Sequence, residues 1–202
     1  MAGTYPMKAT RVTRENVMTS QSRLLAMILA LLFTPISSRA DGLDATLQGR
    51  VDAEVKKIEE WVKEPAVIQA VQAHNAGPSA DVQAMTQDKW KTLTVLDPFV
   101  RGFTKNAVAE ILRSKKSDVI SEAFVSGADG TKVAFLAKTS NWSHKGKPKH
   151  DQPMAGKKWQ GAAELDESTG LQQIQVAIPV VDNGKPIGSL VVGLSLTKLG
   201  KE

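Results

Sequence analysis

The chain has 202 residues, 42% apolar and 23% charged, a balance that excludes a disordered protein and bounds the fold at one domain of ordinary size. The net charge of +5 would suggest a nucleic-acid partner. Residues 1–40 alone carry +4 of it (Lys8, Arg11, Arg14, Arg23 and Arg39 against Glu15), so the remainder is nearly neutral and that partner is not expected. The absence of cysteine excludes thiol catalysis, thiolate zinc sites and iron–sulfur clusters.

The first element is a leader. Arg23 precedes the unbroken apolar run Leu24 to Phe33, Pro35 breaks it, and Ser38 and Ala40 supply the small residues of a cleavage site. A basic segment, a short apolar segment and a small-residue site in that order predict a secretory signal peptide over residues 1–40. The alternative is a retained membrane anchor, which needs roughly 20 apolar residues; this run is half as long. Met7 and Met18 are alternative starts. The expected product is a periplasmic chain of residues 41–202 forming a single domain.

From Leu47 the apolar positions fall at Leu47, Val51, Val55, Ile58 and Val62, one stripe of a helix flanked by charge. Pro65 ends or kinks that helix, Ala66 to His74 continues, and Asn75-Ala-Gly-Pro78 stops it. Asp81 to Leu93 predicts a further helix carrying Trp90, and Asn106 to Lys116 another. The period then changes. Val119 to Val125 and Val133 to Ala137 predict strands around the turn Ala128-Asp129-Gly130. A lysine-rich stretch, 141–158, interrupts them. Trp159 to Leu165, Leu171 to Val181 and Ile187 to Leu196 complete about five antiparallel strands in meander order, the last two joined by Asp182-Asn183-Gly184. The class is α+β: a long N-terminal helix and short helices packed on a five-stranded sheet.

In the last two strands Ile174, Val176, Ile178 and Val180 share a face with Leu190, Val192, Leu194 and Leu196, which must be buried, with the long helix as its cover. The opposite face carries Gln173, Gln175 and Ala177 beside Val191, Gly193 and Ser195. It is either a solvent-facing surface or the floor of a pocket roofed by the insert 141–158.

This order of elements resembles the Cache family of PAS-like (PDC-type) extracytoplasmic sensor domains. The residues that carry the resemblance are Asp166-Glu-Ser-Thr-Gly170, Gln175-Val-Ala-Ile-Pro-Val180 and Gly184-Lys-Pro-Ile-Gly188 followed by Val-Val-Gly193. Thr139-Ser-Asn-Trp142 falls where such domains begin their ligand-side insert. The resemblance covers about residues 43–198. It implies recognition of a small extracytoplasmic molecule such as a carboxylate or amino acid, in the setting of a chemoreceptor or histidine kinase. The last strand ends a few residues before Glu202, so the expectation is a stand-alone binding component that works with a separate membrane receptor or kinase, its N-terminal helix offering a homodimer surface.

Within the insert, Trp142, His144, Lys149 and Trp159, with Gln173 and Gln175 on the sheet, are the candidate ligand-binding residues. A cationic rim with aromatic walls suits an anionic ligand, because ammonium groups bind carboxylate or phosphate as point charges. The alternatives are a solvated loop for the lysines and core positions for the tryptophans. His144, His150 and Asp151 do not supply the three or four convergent ligands of a metal site. No Gly-x-Ser-x-Gly elbow, paired catalytic carboxylates or phosphate-binding glycine loop occurs, so neither catalysis nor a cofactor is expected.

Overall fold

A computed structural model of the protein describes residues 42–166 and 171–201; the segment expected to be a signal peptide and the turn 167–170 lie outside the described residues. Helix α1 (Ala45–Trp61) starts where Asp44 Oδ1 accepts the Leu47 amide at 2.9 Å, and the apolar stripe read from the sequence buries Val51 and Ile58. Pro65 opens the next helix, α2 (Pro65–Ala76), at a position where a missing N–H costs nothing.

The single helix expected over 81–93 is instead two short ones, α3 (Ala80–Gln83) and α4 (Gln87–Thr92). The side chains of Ser79 and Thr86 each accept an amide of the turn that follows, so the chain is capped twice. Helix α5 (Pro98–Lys105), absent from the sequence reading, begins at Asp97, whose carboxylate accepts the Phe99 amide. Asn106 both caps α6 (Ala107–Ser114) and donates to the Val133 carbonyl at 2.8 Å, which ties this helix to the sheet. The insert holds α7 (Pro148–Met154), and Leu196 belongs to a terminal turn, α8 (Leu196–Leu199), rather than to the last strand.

The strands are β1 (Ile120–Gly127), β2 (Lys132–Phe135), β3 (Trp159–Asp166), β4 (Leu171–Asp182) and β5 (Lys185–Ser195), all antiparallel. Their order, β2-β1-β5-β4-β3, corrects the expected meander: β5 inserts between the two hairpins and pairs with β1 over Ile120–Gly127. The insert with α7 carries the chain from one edge of the sheet to the other. The architecture is the expected α+β, PAS-like one.

One face of the sheet buries Ile174, Val176, Ile178, Val180, Leu190, Val192 and Leu194 against residues of α1, α2, α6 and α8. This is the alternation read from the sequence, and it builds the larger core. A smaller core on the other face gathers Trp90, Val100, Phe103, Phe124, Phe135, Trp142, Ala177 and Val191. The β1–β2 register shifts between Val125 and Ser126, so Val133 and Ala134 both join the larger core while Lys132 falls opposite Ser126.

Candidate functional site

The second face of the sheet is covered, not bare. Its apolar half is filled by rings. Trp142 is buried with its ring centroid 5.1 Å from Trp90, 5.7 Å from Phe99 and 5.6 Å from Phe103. The Trp90 indole N–H donates to the Thr139 carbonyl at 2.7 Å, so its polar atom is satisfied.

The polar half is built around Lys132. Its register places it beside Ser126 on β1, which in turn pairs with Ser189 on β5, so a lysine and two serines form one row across three strands. All three are buried, Lys132 with no exposed surface at all. The insert supplies the roof. The His144 amide donates to the Gly130 carbonyl at 2.9 Å, which fixes this loop on the β1–β2 hairpin. Gly130 has φ +79°, and a Cβ there would lie 2.4 Å from the Lys145 nitrogen, so the approach requires glycine. The His144 ring then stacks on Phe124 at 4.7 Å and its Nδ1 stands 2.5 Å from Lys132 Nζ. From α7, His150 Nδ1 meets the Ser189 hydroxyl at 2.8 Å, and Lys149 donates to Gln175 Oε1 at 2.8 Å. Gln175 in turn donates to the Glu122 carboxylate.

The electrostatics follow from burial. Desolvation, helped by the charge of Lys149, pushes the Lys132 amine down to about 7. Desolvation and then the Lys132 charge hold His144 far below the ordinary imidazole range, so its ring is neutral and Nδ1 accepts from the lysine. Burial also lowers Lys149, with Glu122 working against the shift, and lowers His150. Lys132 has hydrogen bonds to His144 and, at 3.4 Å, to Ser126, and a 4.6 Å contact over the Phe124 ring. Among the described residues no carboxylate lies within ion-pair distance of it. The arrangement is a buried group of bases, with the carboxylates of Glu122 and Asp129 near enough to act on the Lys132 charge but not in contact with it. Chemically it can accept a negative charge.

Of the six residues singled out from the sequence, the structure brings His144, Lys149 and Gln175 to this half of the face. Trp142 is in the aromatic cluster. Trp159, half-buried, packs against that cluster and lines a separate cavity of about 200 Å³ with Asp52, Val55 and Gln160. Gln173 accepts from the Ser121 hydroxyl at 2.9 Å near the far end of β4. Sequence reasoning missed Lys132, Ser126, Ser189 and Glu122, and noticed His150 as an insert residue and a poor metal ligand without placing it in the site. The usable signal for Lys132 was its place next to a hairpin turn, in a strand whose other residues are apolar.

No protein-family model and no curated protein matches the chain. Among solved structures it is similar to the sensor domain of the V. cholerae histidine kinase DctB, with 15% identity and a TM-score of 0.42 over 77% of this chain and 55% of that one. It is also similar to the ligand-binding domain of the Pseudomonas aeruginosa PAO1 amino acid chemoreceptor PctC in complex with GABA, with 14% identity and a TM-score of 0.41 over 76% of this chain and 61% of that one. A third is the sensory domain of the Campylobacter jejuni chemoreceptor Tlp3, with 14% identity and a TM-score of 0.39 over 77% of this chain and 66% of that one. The chain thus spans 55–66% of the length of these three domains. At such identities and TM-scores the functional reading rests on the residues of the site itself.

Proposed function

We propose that this protein is an extracytoplasmic sensory domain that binds a small anionic molecule over the polar half of the second sheet face. The carrying observation is Lys132, wholly buried with a histidine and a serine as its hydrogen-bond partners. An ammonium group held out of water with no carboxylate in contact is costly, and an anion placed against it removes that cost. Lys132, His144, Lys149 and His150 then receive a carboxylate or similar group. Glu122 and Gln175 provide the opposite end, so a ligand with both a carboxylate and an ammonium, an amino acid, finds both partners. In this reading the protein acts through a membrane receptor or kinase and pairs with a second copy through the exposed face of α1.

The test is a thermal-shift screen of the purified protein against amino acids, short carboxylates, amines and purines. A ligand at a hundredfold excess over its dissociation constant contributes about 2.7 kcal/mol, a shift of several degrees for a domain of this size. The shift is expected for anionic ligands and is lost in Lys132→Met.

One observation favours a second reading, a ligand-free interaction module of the cell envelope: Trp142 and its neighbours already fill the apolar half of the face. A screen empty across all ligand classes selects that reading and discards the first.

A further inference from the structure

A ligand from outside is one way to bring negative charge to Lys132; the other is to make it on the lysine. We propose that Lys132 reacts reversibly with carbon dioxide to form a carbamate, a modification site enclosed by the insert and the sheet. The Nζ lone pair of the neutral amine attacks the carbon of CO2. A C–N bond forms, one C=O π pair moves onto oxygen, and one N–H proton leaves. Nδ1 of the neutral His144 ring, 2.5 Å away, is placed to take that proton. The products are a carbamate anion on Lys132 and a proton, which the weakly basic His144 ring passes on to water, so no further reactant is needed.

Three features of the site favour this step. First, the surroundings suit the product better than the reactant. Before reaction Lys132 has Lys149 and His150 close enough for charge to act between them, with Glu122 and Asp129 only partly offsetting its burial; afterwards Lys149 and the two histidines face an anion. The Ser126 hydroxyl, 3.4 Å from Nζ, is a donor for a carbamate oxygen. Second, enclosure selects the reagent. Lys132 has no exposed surface. CO2 is uncharged and three atoms long, so it reaches a buried amine without shedding a hydration shell, as a preformed anion must. Third, the amine is available as a nucleophile. Burial brings it down to about 7, so near pH 7.5 its neutral fraction exceeds that of an ordinary lysine by roughly several hundredfold.

The inference uses the same cluster as the ligand reading but not its ligand, and the two are separable. The full chain is equilibrated with ¹³C-labelled bicarbonate and CO2 near pH 7.5, examined by ¹³C NMR, then trapped with triethyloxonium and mapped by mass spectrometry. The expected result is a carbamate resonance distinct from those of bicarbonate and dissolved CO2, and an ethyl carbamate on the Lys132 peptide exceeding that on any exposed lysine. Lys132→Arg removes both signals, and His144→Gln, which keeps Lys132, lowers the trapped fraction at short exposure. An unmodified Lys132 peptide in folded wild-type protein under saturating CO2, or label confined to exposed lysines, overturns the proposal. A thermal shift with carboxylates and no Lys132 adduct overturns the carbamate and leaves the ligand reading standing. An adduct without any carboxylate shift supports the carbamate alone.

Discussion

Nζ of Lys132 and Nδ1 of His144 lie 2.5 Å apart inside the protein, two bases in direct hydrogen-bond contact. Such a pair is stable only when at most one member is charged, and here burial decides that His144 stays neutral while Lys132 titrates near neutrality.

This pair gives the folded protein a characteristic pH dependence. In the unfolded chain a lysine keeps its proton to about pH 10.4, whereas folded Lys132 releases it near 7. Between those values the unfolded state binds more protons, so stability rises with pH across the window and then levels. His144 has the same sign lower down: below its ordinary 6.5 the unfolded ring is protonated and the folded one is not, so stability falls as pH drops. Urea unfolding from pH 6 to pH 10 should show a gain of roughly 2–5 kcal/mol in wild type, and Lys132→Met should flatten the upper part. Parallel profiles for the two proteins would show that Lys132 is not the titrating group.

Trp142→Ala is expected to be a stability mutation. The indole is packed on Trp90, Phe99 and Phe103, and its removal should cost about 3–5 kcal/mol in denaturant midpoint terms. A cost under about 1 kcal/mol, with any ligand shift abolished, would place Trp142 at the binding site instead of in the core.

Two glycines on β5 should behave differently. A Cβ at Gly188 would lie 2.4 Å from the Ser126 carbonyl oxygen and 2.9 Å from Val71 Cγ1, so backbone must move; Gly188→Ala should cost about 3 kcal/mol or more. A Cβ at Gly193 meets only side-chain atoms, Ser121 Oγ at 2.5 Å and Glu122 Cγ at 2.7 Å. Gly193→Ala should cost about 1 kcal/mol, and its main effect should be to swing Glu122 off Gln175. Calorimetry of the two variants reads the contrast, and equal costs would refute it.

The hairpin lock between α2 and the β1–β2 turn offers an acid-side test. Burial raises the Asp129 carboxyl, but the His74 ring and the Thr131 amide and hydroxyl outweigh it and hold the group well below the usual carboxylate range. Its contribution is present above the ordinary carboxylate pKa and fades as pH falls through the lowered one. Because the group is half exposed, Asp129→Asn should cost only about 1 kcal/mol at pH 7, and the difference should shrink steadily below pH 4 in acid titrations of the two proteins. A difference that persists undiminished in strong acid would remove Asp129 as its source.

What could be read from the sequence was what short-range periodicity controls. Ile174 to Val180 and Leu190 to Leu194 put a large aliphatic residue at every second position, and Asn183 and Gly184 adopt the positive φ values, 47° and 78°, that a two-residue hairpin turn needs. Strand order was not readable, because the pairing of β1 with β5 depends on a crossover more than fifty residues long and on no local signal. Helix α5 was hidden by its length, although Asp97 before Pro98 is a cap followed by a first-turn proline. The site was half visible: His144 and Lys149 stood out as insert residues, whereas Lys132 carries a residue type that usually marks solvent. Only the register shift at Val125/Ser126 turns it inward.

The position of β5 has a consequence for how the molecule comes together. The strand that separates β1 from β4 is the last to appear in the chain, so the β1–β2 and β3–β4 hairpins can each form early but have no common sheet to join. Until residues 185–195 arrive, β1 and β4 each present an unpaired inner edge, the kind of surface on which chains associate wrongly. Assembly is therefore dominated by long-range pairing and should be slow and nearly all-or-none, with a chain truncated before Lys185 remaining unfolded and prone to aggregate.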